Sequence, residues 1–246
     1  MAELVKFCDE LLDVAAFADY APNGLQVEGA GEVAKIVSGV TASQALVEAA
    51  VAAEADLLLV HHGYFWKGES PCITGIKRHR IGRLLTTGTS LLAYHLPLDA
   101  HPDVGNNARL AKVLGFEIEG RFGRDQLAMF GRLPQPIPAA ELARQVSDRL
   151  GRQALHIGDA SELVERVAWC SGAAQGYIGA AAELNVQVYL SGEVSEQTTH
   201  LAREYGIHYL GAGHHATERY GVQALGELLA RQFGLAHEFV DIDNPV

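Results

Sequence analysis

Five residues in three separate segments of the chain have the chemistry of metal ligands. They are His61, His62, Asp99, His214 and Glu218. Imidazole and carboxylate groups without a thiolate suit Zn²⁺, Mn²⁺, Fe²⁺ or similar ions, and bridging carboxylates are what a two-metal site requires. Each of these residues also has a structural alternative, which the surrounding sequence helps to weigh.

His61 and His62 directly follow the apolar run DLLLV, so they lie where a buried strand ends. Neighbouring side chains on a strand point to opposite faces, so both can bind one metal only if the backbone turns at Gly63. Otherwise they serve two metals. The alternative is a structural role, because single histidines are more often satisfied by the backbone.

The other three candidates have competing roles as well. Asp99 follows Pro97, which is expected to break a helix and to present the carboxylate from a loop, although an aspartate here can also cap the next turn. His214 and Glu218 are four residues apart at the start of a predicted helix, and this spacing places both on one face. Glu218 can instead pair with Arg219 or cap that helix.

The elements that must position these residues alternate between strands and alanine-rich helices. From Val33 onward the order is VAKIVSGV, SQALVEAAVAAEA, DLLLV, a helix around Gly75 to Thr87, and SLLAYH. This βαβ order predicts a largely parallel sheet with helices on its faces. Functional residues are then expected at the carboxyl ends of the strands.

The later part of the chain repeats this order, which indicates a diverged internal duplication. VERVAWCSGAA, GYIGAAAEL and VQVYLSGE follow the order of KIVSGVTAS, QALVEAAVAAEA and DLLLVHHG. Each third strand leads to a histidine with a carboxylate four residues later, His95 with Asp99 and His214 with Glu218. We therefore predict an α/β fold of two interlocked, related halves, residues 1–123 and 124–246. The boundary lies in the proline-containing segment FEIEGRFGRDQLAMFGRLPQPIP.

Composition excludes several classes of protein. The 246 residues are 48% hydrophobic and 20% charged, which is typical of a packed globular protein and excludes intrinsic disorder. A formal net charge of −11 disfavours nucleic acid and anionic membranes as partners. No apolar run approaches the about 20 residues that span a bilayer, and the N-terminus lacks a signal-peptide core, so a cytoplasmic protein is predicted. The three cysteines are expected to be buried apolar residues; they are Cys8, Cys72 and Cys170.

Several segments of the chain resemble those of one known family. PNGLQVEG, HHGYFWKGE, HLPLDAHPDVGNN, SGEVSEQ and GAGHHATERYG are similar to segments of the Nif-three-like dinuclear metal-centre family, whose members carry the name GTP cyclohydrolase I type 2 homologue. The resemblance spans nearly the whole chain and corresponds to the short form of the family. It implies a dinuclear site between the halves, with two divalent ions (Zn, Mn or Fe) per chain held by His61, His62, Asp99, His214 and Glu218. It also implies a toroidal homohexamer.

Other residues are candidates for catalysis or for binding a substrate. Glu193 follows the strand equivalent to DLLLV and can act as a general base, or else balance charge at a helix N-terminus. His95 matches a family position close to the metals and is the second candidate proton carrier. The aromatic run Tyr64 to Trp66 is similar to a base-stacking platform, but it also suits a core or a subunit contact. A basic patch suits substrate phosphates or a solvated helix face; it comprises Lys67, Lys77, Arg78, His79 and Arg80.

The predicted function is metal-dependent hydrolysis of a small, anionic, nucleotide-like substrate by metal-activated water. The family name points to opening of the GTP purine ring with loss of formate, whereas the sequence contains neither a P-loop nor a dinucleotide fingerprint. The alternative is a non-enzymatic ring protein that binds metal and serves regulation or scaffolding. Five or six protein ligands over two metals leave coordination positions open, which favours chemistry.

Overall fold

The computed structural model of the chain describes residues 1–29 and 31–246. Its strands are β1 (Gly24–Val27), β2 (Lys35–Thr41), β3 (Leu57–His62), β4 (Ser90–Ala93), β5 (Glu117–Phe122), β6 (Ala128–Pro138), β7 (Leu155–Ile157), β8 (Leu163–Cys170), β9 (Val188–Ser191), β10 (His208–Gly211) and β11 (Ala236–Phe239). Its α-helices are α1 (Ala2–Leu11), α2 (Gln44–Ala52), α3 (Gly75–Thr87), α4 (Leu96–Ala100), α5 (Asn106–Leu114), α6 (Ala139–Leu150), α7 (Ile178–Glu183), α8 (Glu196–Tyr205) and α9 (His214–Phe233).

The chain forms two compact units with one sheet in each. The first unit comprises Met1–Leu98 and Gly221–Asp243, and the second comprises Asp99–Tyr220 and Asn244–Val246. These bounds differ from the sequence halves 1–123 and 124–246 for two reasons. The late strand β11 pairs with β2, which returns the end of the chain to the first unit. The segment expected at the boundary forms the antiparallel pair β5 and β6 inside the second sheet.

The first unit has the strand order β1-β4-β3-β2-β11. Strands β2, β3 and β4 are parallel neighbours, β11 is parallel to β2, and β1 is antiparallel to β4. The run Leu57 to Val60 on β3 is fully buried, which explains why it is apolar throughout rather than alternating. Ser43 caps helix α2, because its side chain accepts a hydrogen bond from the Leu46 amide at 3.2 Å.

The second unit has the strand order β5-β6-β8-β9-β10-β7, in which β8, β9 and β10 are parallel neighbours. Its core surrounds Trp169, a fully buried side chain that donates a hydrogen bond to the Asn107 carbonyl at 3.0 Å. The prolines at the end of β6 lie around a break in its pairing with β8 between Arg132 and Ile137. Prolines lack the amide proton that a regular ladder needs, so they are tolerated at such an irregularity.

Both units contain the predicted strand-helix-strand-helix-strand order, as β2-α2-β3-α3-β4 and as β8-α7-β9-α8-β10. In each, the third strand is followed within a few residues by a helix, α4 after β4 and α9 after β10. The structure therefore confirms an α/β fold with repeated parallel βαβ units. His95 directly precedes α4, which contains Asp99, and His214 and Glu218 lie in the first five residues of α9.

The structure also tests the prediction that the three cysteines are buried. Cys8 and Cys170 are buried as predicted, but Cys72 is exposed, so the expectation was wrong for this residue. Cys72 lies in the loop between β3 and α3, where residues 67–76 are exposed throughout.

Among the described helices, none combines the length and the low polarity that crossing a membrane requires.

Candidate metal centre

The first unit brings three histidines together at the carboxyl ends of two neighbouring strands. His61 and His62 are the last residues of β3, and His95 lies two residues after β4. Because β3 and β4 are parallel and paired, these ends meet at the same edge of the sheet. One ligand nitrogen from each of the three rings lies within 4.8 Å of the other two. His61 and His95 are buried and His62 is half-buried.

Gly63 is required here because of space rather than backbone freedom. Its backbone is not in the left-handed region, and a Cβ at this position would clash with the Gln26 side chain and lie 2.7 Å from the Ala93 Cβ. Gln26 is held there because its Oε1 accepts a hydrogen bond from the Tyr64 amide at 2.6 Å. The structure therefore gives Gly63 a packing requirement, and a turn that lets both histidines bind one metal stays a prediction.

Hydrogen bonds to Nδ1 set which nitrogen of these rings can bind a metal. His61 Nδ1 lies 2.9 Å from the Tyr94 carbonyl, which can only accept, so this nitrogen carries the proton. Nε2 then has the lone pair in the neutral ring. His62 Nδ1 lies 3.0 Å from the Thr41 hydroxyl, which is consistent with the same orientation. Outer partners of this kind typically orient histidine ligands in metal sites.

His95 has a carboxylate partner that the sequence analysis missed. Its Nδ1 donates to Asp19 Oδ1 at 2.9 Å, and the Asp19 side chain is 3% exposed. The same carboxylate accepts from the amides of Tyr20 and Leu96 and from the Asn23 side chain. Burial opposes ionisation of Asp19, but the hydrogen bond and charge of His95 and the other donors outweigh it and lower the pKa to about 2. The nearest sequence signal was Asn23 in the PNG turn, which also accepts from the His95 amide at 2.7 Å.

Replacement of Asp19 by alanine is expected to lower the free energy of unfolding by about 2–4 kcal/mol, because several buried donors lose a charged acceptor. Denaturant unfolding of the wild type and the variant measures this loss. Glu32→Ala removes an exposed carboxylate of the same unit and should leave the unfolding midpoint unchanged. Coincident curves for Asp19→Ala and Glu32→Ala would contradict a stabilising role of the Asp19 network.

The second unit brings Asp99, His214 and Glu218 together. His214 Nε2 lies 3.0 Å from Glu218 Oε2, one turn further along α9. A carboxylate oxygen of Asp99 lies within 4.8 Å of one from Glu218, and both side chains are buried. Asp99 Oδ1 accepts from Asn106 Nδ2 at 2.8 Å and from Ser171 Oγ at 3.2 Å. These donors hold the Asp99 carboxylate in one orientation beside Glu218.

Asp99 lies inside the short helix α4, so the expectation of a loop after Pro97 was wrong. Pro97 is the second residue of that helix, where its missing amide proton is not needed. The following helix α5 is capped by Gly105 rather than by Asp99. Asp99 is therefore not the cap of α5, and its carboxylate lies beside that of Glu218.

Glu193 contacts the candidate ligand His214 directly. Its Oε1 accepts from His214 Nδ1 at 2.8 Å, which again orients Nε2 as the ligand nitrogen. Glu193 precedes Ser195, the cap of α8, and the acidic residue in the first turn of that helix is Glu196. Burial opposes protonation of His214, but its hydrogen bonds and charge interactions with Glu218 and Glu193 prevail and raise its pKa to about 9.

A left-handed glycine leaves room for these side chains. Gly172 has a φ of +65°, and a Cβ here would clash with Glu218 Oε1 and lie 3.2 Å from His214 Nε2. The combination of two carboxylates, a histidine held at Nδ1 and a space that a methyl group would fill fits a divalent cation. The histidine set of the first unit fits the same class of ion.

The remaining candidates have separate environments. Tyr64 is buried and Phe65 is packed against the core of the first unit, whereas the Trp66 ring lies against His62 and His95. Of the basic patch, Lys77 forms a 2.9 Å ion pair with Glu69. Arg78 and His79 are exposed on α3 and Lys67 is exposed in the preceding loop, which is consistent with a solvated face.

Comparison with known proteins identifies the family of the chain. The family model described as Duf34/NIF3 (NGG1p interacting factor 3) matches residues 1–245. A protein of Allochromatium vinosum named GTP cyclohydrolase 1 type 2 homolog is 59% identical, covering 99% of this chain and 96% of its own length. An Escherichia coli (strain K12) protein of the same name is 53% identical over 99% of this chain and 98% of its own.

Two solved structures are similar to this chain over its whole length. Protein ybgI, described as of unknown function, superposes with a TM-score of 0.97 at 53% identity, covering 100% of this chain and 99% of its own. TTHA1606 from Thermus thermophilus superposes with a TM-score of 0.90 at 36% identity and the same coverage. The match of the family model over nearly every residue, together with these relatives, shows that the chain belongs to the Duf34/NIF3 family.

Proposed function

We propose that this protein binds two divalent metal ions per chain and hydrolyses an anionic, nucleotide-like substrate. The five ligands are His61, His62, Asp99, His214 and Glu218. The observation that carries the proposal is the hydrogen bonding of two histidine rings. His61 and His214 each use Nδ1 to donate to a carbonyl or a carboxylate, which leaves Nε2 as the nitrogen available for a metal beside further ligand groups.

When bound, a pair of divalent ions supplies Lewis acidity and lowers the pKa of a coordinated water toward neutrality. Only two of the five ligands are anionic, so the loaded site carries a net positive charge. A local positive charge attracts an anionic substrate in spite of the formal net charge of −11 on the chain. The Asp99 carboxylate is held by the hydrogen bond from Asn106, and the Glu218 carboxylate is held by its contact with His214.

His95 and Glu193 are the proposed proton carriers. Asp19 accepts the hydrogen bond from His95 Nδ1 and so holds the ring with Nε2 as the nitrogen that would exchange the proton. Glu193 lies against His214 and is one-third exposed on its side chain, so it can exchange a proton with solvent or substrate. Its hydrogen bond to His214 also makes it a positioning residue for that ligand.

The names of the relatives support a nucleotide-like substrate, since several are called GTP cyclohydrolase 1 type 2 homologs. Ring opening of GTP is the specific reaction that this name suggests. A homohexameric toroid in the cytoplasm stays part of the proposal.

The test is turnover by protein reconstituted with Zn²⁺, Mn²⁺ or Fe²⁺. Formate and phosphate release are measured with GTP, other nucleotides and simple phosphoesters. We expect at least one nucleotide to be hydrolysed by the wild type and by Glu204→Gln, an exposed control on α8, but not by Glu218→Gln. If the metal-loaded wild type leaves the whole panel untouched, the hydrolase is excluded for these substrates and a metal-binding regulatory or scaffold protein becomes the better interpretation.

A further inference from the structure

The aromatic run after β3 divides into two parts with different surroundings. Tyr64 is 5% exposed and its hydroxyl donates to the Ala42 carbonyl at 2.9 Å, so it belongs to the core. Phe65 packs partly against the same core, and Lys77 Nζ lies 5.5 Å from its ring centroid. Trp66 is half-buried and turns toward the histidines instead. Trp66 is therefore the ring of this run that lies beside the candidate ligands.

The backbone enforces this division. Phe65 has a φ of +66°, which is an uncommon left-handed conformation for a residue with a side chain and persists only where the surroundings impose it. The next residues are tied down, because the Trp66 amide donates to Glu69 Oε2 at 3.3 Å and the Lys67 amide donates to the Tyr20 carbonyl at 2.7 Å. The last bond also places Tyr20 next to Trp66.

Trp66 and Tyr20 together form an aromatic wall beside the histidine set. Their ring centroids are 5.7 Å apart with a 35° interplanar angle. Trp66 lies 5.8 Å from His62 and 5.1 Å from His95, and Tyr20 lies 4.9 Å from His95, all as centroid distances. Tyr20 remains 53% exposed. An exposed aromatic surface that the backbone holds rigidly next to metal ligands is suited to stacking a ligand ring.

We propose that Trp66, supported by Tyr20, stacks the planar heteroaromatic ring of the substrate and so selects ligands that have such a ring. This inference rests on the proposed function, because it assumes that the substrate binds at the histidine set. It assigns to Trp66 and Tyr20 recognition of the ring, whereas the ligand residues recognise the anionic part. A wall that only shielded His95 from water would not distinguish ligands with a ring from ligands without one.

The chain contains only two tryptophans, and this makes a direct test possible. Trp169 is fully buried in the other unit, so the emission that is lost in Trp66→Phe isolates the Trp66 signal. We expect guanosine 5′-monophosphate to change the Trp66 emission of the Zn²⁺-loaded wild type, and ribose 5-phosphate, which lacks the base, to leave it unchanged. The proposal would be overturned if the Trp66 emission stayed the same with guanosine 5′-monophosphate and also with adenosine 5′-monophosphate.

Calorimetric binding gives the second measurement. Trp66→Leu is expected to weaken binding of guanosine 5′-monophosphate about tenfold or more, while Trp66→Phe retains most of the affinity because it keeps a ring. Binding of ribose 5-phosphate should be the same in all three proteins. Equal weakening of both ligands in Trp66→Leu, or no weakening of either, would overturn the stacking role.

Metal binding is followed separately through the visible absorption of Co²⁺, which reports its coordination. The spectrum should be unchanged in Trp66→Leu, and its loss would mean that Trp66 only supports the histidines. Failure of the proposed hydrolysis would leave the nucleotide binding and the Trp66 signal intact. Failure of the stacking role would instead leave turnover present, with the KM of Trp66→Leu equal to that of the wild type.

Discussion

Replacing Glu218 by glutamine is expected to reduce the metal content of the purified protein from about two ions per chain to one or none. Glu218 is 3% exposed, and its carboxylate lies 3.0 Å from His214 Nε2 and within 4.8 Å of a ligand oxygen of Asp99. Glutamine keeps the shape of the side chain but not the charge, so the loss would come from ligation rather than from packing. Elemental analysis of freshly purified and of reconstituted protein measures the result.

The matched control is Glu204→Gln, the same substitution at an exposed position of α8. It should retain the full metal content and the wild-type unfolding midpoint. A wild type that carries no metal and takes up none on reconstitution would refute the metal centre and return His61 and His62 to structural roles. Full metal content in Glu218→Gln would remove only Glu218 from the ligand set.

Replacing Glu193 by glutamine is expected to lower turnover by about 10–100-fold while the metal content stays unchanged. The amide oxygen of glutamine can still accept from His214 Nδ1, so the ring stays oriented, but the group can no longer take a proton. By contrast, Asp99→Asn should lower turnover and metal content together, because Asp99 is a proposed ligand. Turnover, metal content and the pH dependence of kcat/KM are measured for each variant.

The pH profile separates the two roles of Glu193. If Glu193 is the general base, the low-pH limb of kcat/KM should flatten in Glu193→Gln. Glu193→Ala also removes the acceptor of His214 Nδ1 and should weaken metal binding in addition. Full turnover with full metal content in Glu193→Gln would show that the base assignment is wrong, and His95 with its partner Asp19 would remain as the proton carrier.

Local features of the sequence determined the repeated βαβ order and the positions of the candidate ligands along it. The apolar run before His61 indicates a buried strand. A residue that follows this run lies at the carboxyl end of the strand, where functional residues of parallel sheets are found. The four-residue spacing of His214 and Glu218 likewise fixes their common face on one helix. These inferences depend on neighbouring residues only, so they could be made without a structure.

The tertiary structure decided which groups orient those ligands and where the compact units end. Asp19 is 76 residues from His95, and Ser171 is 72 residues from Asp99, so no local pattern connects the members of these pairs. The same limit applies to the unit bounds, since β11 joins the first sheet only by pairing with β2. It also applies to Trp66, whose direction depends on the left-handed backbone at Phe65. Hydrogen bonds and packing between distant segments set these features, and such contacts exist only once the chain has folded.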